Sequence, residues 1–173
     1  MPTALITGCG KGGIGHALAQ EFKRNAGYTV YTTLLAHEKT DHLSEAGIHV
    51  FTADVTKDED VERLREDISD ATNGNLDVLV NCAGIVYTMT ATDTDVKEVE
   101  KMFAVNVMGP MRMVHLLHPL LIQAKGKIVN IGSVGGIVPY VYGSSYNASK
   151  AALHHWGNTL RIEMKPFGFV AGS

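Results

Sequence analysis

Apolar residues along this chain follow two alternating rhythms. Residues 3–7 form a short apolar run, after which Ile14, Leu18 and Phe22 recur at every fourth position, the spacing of one helix face. Residues 28–33 are rich in β-forming types, and a further strand covers 48–52 after a polar, weakly periodic stretch that ends at Gly47. Thr56 and Glu59 have the spacing of a capping box, and Val61, Leu64 and Ile68 continue from it as the apolar stripe of a helix. Residues 76–80 are apolar without interruption, as in a strand buried on both faces. A long helix is expected over 96–122, a fifth strand over 127–131 and another helix over 145–164. Strands alternating with helical crossovers predict an α/β protein with a doubly wound parallel sheet in three α/β/α layers.

The link from the first strand to the first helix reads Thr7-Gly8-Cys9-Gly10-Lys11-Gly12-Gly13-Ile14-Gly15. Glycines permit a tight turn and let the backbone approach a pyrophosphate closely. The following helix N-terminus adds unpaired N–H groups and the positive end of a dipole. A flexible turn is the plain alternative, but a glycine-rich link between an N-terminal strand and a helix favours a dinucleotide. Asp54 follows strand three, Asn81 strand four and Ser133 strand five. Ligands of open parallel sheets bind beyond the carboxyl ends of the strands, so four polar motifs at four such ends mark one site.

Tyr146 and Lys150 are four residues apart and share one helix face. Forming a phenolate at neutral pH costs roughly 4 kcal/mol, and a neighbouring ammonium reduces that cost. Ser133 can offer a hydroxyl to the same carbonyl oxygen. Asn106 lies four residues before Pro110, which has no N–H, so the Asn106 carbonyl loses its intrahelical partner and is free to hold water. A simple kink is the alternative. Asp54 can likewise serve a ligand or cap the helix that follows it.

Composition narrows the function. A chain of 173 residues, 45% hydrophobic and 19% charged, fits one soluble globular domain over 1–173. A net charge of −3 gives no basic footprint for nucleic acid. Cys9 and Cys82 suggest neither a disulfide framework nor a zinc site, and Cys82 reads as a small buried thiol. His115, His118, His154 and His155 invite a metal reading, but no third ligand has suitable spacing, so no metal is expected. No apolar stretch is long enough for a transmembrane segment. Ala148, Ala152 and Trp156 read as core or subunit interface.

Together these motifs resemble the short-chain dehydrogenase/reductase family. Its T-G-x-x-x-G-x-G pattern corresponds to the loop after strand one, which carries one extra residue between Gly8 and Gly13-Ile14-Gly15. Its N-x-A-G pattern corresponds to Asn81-Cys82-Ala83-Gly84, and its tetrad to Asn106, Ser133, Tyr146 and Lys150. The resemblance covers essentially the whole chain. Within the family, the longer loop and the run 163–167 look most like fungal NADPH-dependent 1-acyl-dihydroxyacetone-phosphate reductases.

The resemblance implies a Rossmann fold and hydride transfer between NAD(P)(H) and a small ketone or secondary alcohol. Tyr146 would be the general acid/base, Ser133 would polarise the carbonyl, Lys150 would tune the tyrosine and hold the nicotinamide ribose, and Asn106 would feed a proton relay through water. Gly8, Lys11, Gly13, Ile14 and Gly15 would hold the pyrophosphate, and Asp54 and Val55 the adenine. Asn81, Ala83 and Gly84 would flank the cofactor, with Tyr146 and Lys150. Strand two ends Thr32-Thr33-Leu34-Leu35-Ala36 without an acid, and Lys11, His37 and Lys39 are nearby cations. NADP(H) is therefore expected, with NAD(H) as the alternative. A homo-oligomer and a cytoplasmic location are also expected, with peripheral association to lipid droplets or endoplasmic reticulum by resemblance. Family members continue beyond position 173 with further strands and a substrate lid, so the chain is expected to be truncated at its C-terminus. Two other readings are a nucleotide-binding or assembly subunit, and the same scaffold performing dehydration or cyclisation.

Overall fold

The computed structural model describes residues 1–168 and, by backbone alone, 170–172. In chain order it contains β1 (Thr3–Ile6), α1 (Ile14–Arg24), β2 (Thr29–Leu34), a one-turn α2 (Asp41–Ser44), β3 (His49–Thr52), α3 (Asp58–Thr72) and β4 (Val78–Asn81). Then follow α4 (Val96–Phe103), a π-helical turn (Ala104–Met108), α5 (Gly109–Ala124), β5 (Lys127–Asn130), α6 (Ser144–Met164) and β6 (Val170–Gly172). The strands form a parallel sheet in the order β3-β2-β1-β4-β5-β6. β6 pairs with β5 at one edge of the sheet.

Alternation along the strands explains the layers. Ala4 and Ile6 of β1, Val30 of β2 and Val78 and Val80 of β4 pack with Ala19, Leu18 and Phe22 of α1 and Leu43 of α2. Their sequence neighbours Leu5, Tyr31 and Leu79, with Ile128 of β5, face the other way. There they meet Val61, Leu64 and Ile68 of α3, Met113, Leu117 and Leu121 of α5, and Leu160 and Met164 of α6. Each central strand is thus covered on both faces, which is why 76–80 reads as an unbroken apolar run. Leu79 is fully buried, and truncating such a leucine to alanine typically costs about 2–5 kcal/mol.

The sheet order reverses between β1 and β4, so the loops leaving these two strands run to opposite sides and open a crevice at their carboxyl ends.

Three local expectations change. Thr56 and Glu59 do not form a capping box: α3 starts at Asp58 after Lys57, which makes no side-chain cap. Thr56 instead gives both its amide and its hydroxyl to Asp54 Oδ1, at 2.9 and 2.7 Å. The helix expected over 96–122 is two α-helices joined by the π turn, and it extends to Ala124. The polar stretch before Gly47 contains α2.

Candidate active site

The site begins where the loops after β1 and β4 touch. Gly8 has φ of 69°, and a Cβ there would lie 2.6 Å from Ala83 Cα. A Cβ on Gly15 would lie 2.5 Å from the Gly8 carbonyl oxygen. Only glycine fits at either position. Thr7 Oγ1 accepts from the amides of Cys82 and Ala83, each at 3.0 Å, and so ties the two loops together. Gly13 makes no side-chain cap at the start of α1, so the helix N-terminus presents the positive end of its dipole to an anion.

These loops frame a cleft of about 520 Å³. Gly8, Lys11, Gly13, Ile14, Gly15, Asp54, Val55, Ala83 and Gly84 all line it. At its far end Asp54 organises the turn before α3 through Oδ1, while its own amide donates to Asp60 Oδ2 at 2.9 Å. Arg112 of α5 donates to the Val55 carbonyl at 2.8 Å and also pairs with Asp58. Glu38 lines the cleft as well, because the turn after β2 folds its carboxylate back to accept from the Leu35 amide at 2.7 Å. A Cβ on Gly10 would lie 2.9 Å from Glu38 Oε1. The strand end that carries no acid in sequence thus acquires one through the turn.

The other end is built by α6 and the π turn. Lys150 is buried; its Nζ donates to the Ile131 carbonyl at 2.9 Å and lies 5.9 Å from the centre of the Tyr146 ring, in cation–π range. Burial holds its amine below the usual lysine range. Burial also pushes the Cys82 thiol up. Asn106 is fully buried: its Oδ1 accepts from the Ile85 amide at 2.9 Å, and its Nδ2 donates to the Ile85 carbonyl at 2.9 Å and to Ser149 Oγ at 3.2 Å. Ser149 Oγ in turn donates to the Tyr146 carbonyl at 2.7 Å. Gly84 sits between these groups, since a Cβ on it would lie 3.3 Å from Asn106 Oδ1 and 3.7 Å from Lys150 Nζ. The cleft wall and two tetrad members therefore meet at Gly84.

Asn81 cross-links β4 to β5 by donating to Asn130 Oδ1 at 2.9 Å, behind the cleft rather than in it. Ser133 lines a neighbouring groove with Gly132, Val134, Gly136, Ile137 and His154. Its Oγ accepts from the Gly135 amide at 3.1 Å and keeps its own proton to donate. Its amide donates to His154 Nε2 at 3.3 Å.

The sequence profile of short chain dehydrogenases matches residues 2–171. The chain belongs to the short-chain dehydrogenase family. It is 71% identical over 160 residues to short-chain dehydrogenase anuB of Penicillium roqueforti, covering 92% of this chain and 55% of that protein. It is 43% identical over 164 residues to the NADPH-dependent 1-acyldihydroxyacetone phosphate reductase of Schizosaccharomyces pombe, covering 95% and 55%. It therefore spans about half the length of these relatives. Among solved structures, the alcohol dehydrogenase of Thermococcus sibiricus complexed with 5-hydroxy-NADP superposes with a TM-score of 0.86 at 27% identity, covering 99% of this chain and 74% of that one.

Several residues that build the site are not visible as such in the sequence: Ser149, Arg112, Asn130, His154 and Glu38. Each is an ordinary polar residue on a helix, strand end or turn; the tertiary fold gives the first four their partners, and a local turn brings Glu38 back to the Leu35 amide. The proline at 110 is the one signal that singles out the π turn. Among the described residues no group of three or more His, Cys, Asp or Glu gathers as for a metal ion, and no helix is long and apolar enough to cross a membrane.

Proposed function

We propose that this chain carries the nucleotide site and proton-transfer residues of an oxidoreductase acting between NADP(H) and a ketone or secondary alcohol. The meeting of the cleft wall with Asn106 and Lys150 at Gly84 is the observation that carries this reading. The residues fit a dinucleotide: Gly8 and Gly15 leave no room for side chains beneath the pyrophosphate, and α1 presents the positive end of its dipole. When bound, the nicotinamide supplies or accepts the hydride. Tyr146 gives its phenolic proton to the carbonyl oxygen, and Ser133 donates a hydrogen bond to the same atom. Lys150 stabilises the tyrosine anion and holds the ribose. Asn106 keeps the helix open at its carbonyl for the water that returns the proton.

NADP(H) is favoured by Lys11 at the cleft and by the NADPH dependence named for the S. pombe relative. Glu38 acts against a 2′-phosphate, so the two residues set the preference between them. Replacing Lys11 by Glu should weaken NADPH far more than NADH, and equal losses would overturn the assignment. Tyr146→Phe should leave NADPH affinity intact and abolish ketone reduction. Wild-type chain that binds NADPH but turns over no ketone in a panel would instead assign it a nucleotide-binding role within an assembly.

A homo-oligomer in the cytoplasm completes the proposal. It is supported by two free thiols and by apolar residues at the surface of α6 and just beyond it, Ile162 and Phe167.

A further inference from the structure

The phosphate loop of this chain is longer than the usual family loop, and two histidines with no role in the chemistry above grip the turn. Gly12 has φ of 80°, and its amide donates to Nδ1 of His16, in the first turn of α1, at 3.1 Å. On the other limb of the turn, Nε2 of His42 in α2 lies 3.0 Å from the Cys9 carbonyl oxygen. The partners fix both tautomers. An amide can only donate, so His16 Nδ1 is bare and its proton sits on Nε2. A carbonyl can only accept, so His42 carries its proton on Nε2.

The two rings meet edge to face, with centroids 4.7 Å apart and planes at 89°. His16 Nε2 is buried without a hydrogen-bond partner, so the Gly12 bond and the His42 ring define where this imidazole sits. Burial, then His42 and Lys11, hold His16 below the usual imidazole range, which keeps Nδ1 available as an acceptor. Between the two gripped residues, Gly10 and Lys11 line the cleft, as does Gly13 just beyond. A glycine-rich turn left to itself has wide conformational freedom.

We propose that His16 and His42 are positioning residues for the pyrophosphate, clamping the loop at Gly12 and Cys9 so that Gly10, Lys11 and Gly13 already line the cleft when the nucleotide arrives. The clamp rests on the NADP(H) reading above, and it strengthens binding by removing the cost of ordering the loop.

The test uses two pairs of variants. His16→Leu removes the acceptor, whereas His16→Asn places Oδ1 where Nδ1 was. His42→Leu removes the donor, whereas His42→Gln replaces it with an amide. Calorimetric titration with NADPH should show each Leu variant weakened roughly three- to tenfold, the size of one lost hydrogen bond, and each amide variant restored to near wild type. In nucleotide-free protein, NMR should show a Gly12 amide that exchanges slowly in wild type and rapidly in His16→Leu, and a His16 ring protonated on Nε2. Leu variants that bind as wild type, or amide variants as weak as the Leu ones, would sink the clamp alone. If wild type with a protected Gly12 amide binds no NADPH, the cofactor reading falls and takes the clamp's purpose with it.

Discussion

Lys150 depends for its chemistry on where the fold puts it. Burial disfavours its ammonium, so its folded pKa lies below the unfolded value near 10.5. Between these two values the unfolded chain binds more protons than the folded one, so the contribution of this residue to stability rises with pH through that window. Below the window the buried ammonium is a standing cost. Lys150→Met removes this pH dependence together with the donor to the Ile131 carbonyl, so in urea wild type should gain on the variant as the pH rises toward 10.5; a difference that stays constant with pH would argue against a buried charge. Asn106 works in the opposite sense. Asn106→Leu strands both the amide and the carbonyl of Ile85, and should lower unfolding free energy by about 1–3 kcal/mol in denaturant titrations. Asn106 is legible in the sequence because Pro110 points to it. Its partner Ser149 is not, since a serine inside a helix looks the same whether it faces solvent or a buried amide. Thr56 misleads for a related reason: Asp54 lies two residues away and takes the hydroxyl that a capping box would use.

Strands are the most legible elements in the sequence. Each central strand is buried on both faces, and an apolar run of that kind has few other homes in a chain of alternating helices. The glycine loop is readable for a different reason, because its positive φ and its close approaches demand a residue without Cβ. Gly8→Ala should drive the loops after β1 and β4 apart, destabilise the fold by more than about 1 kcal/mol and abolish NADPH binding in the same preparation. Helix boundaries are less readable. α4, the π turn and α5 present one continuous periodic pattern, in which Pro110 alone hints at the extra residue in the winding; beside it Gly109 packs against Val55, where a Cβ would lie 2.8 Å from Cγ2. Glu38 is not legible, because the end of β2 itself carries no acid and the carboxylate arrives from the turn after it.

At the scale of the whole molecule, the site exists only because β1 and β4 are neighbours while their sequences lie far apart. Nucleotide binding should therefore stabilise the entire fold rather than one loop. At one hundred times the dissociation constant, NADPH should add about 2.7 kcal/mol, visible as a raised melting temperature, and no shift at saturating nucleotide would contradict the site. The π turn carries a last consequence for how this chain tolerates change in its length. An α-helix advances about 100° per residue, so excising one residue between 104 and 108 would swing α4 and α5 by that angle relative to each other. Gly84 would then face a different side chain in place of Asn106, even if no residue that touches the cleft had been altered. Alignments of variants should thus treat this short interval as fixed in length, and natural insertions or losses should gather in the loops on either side of it.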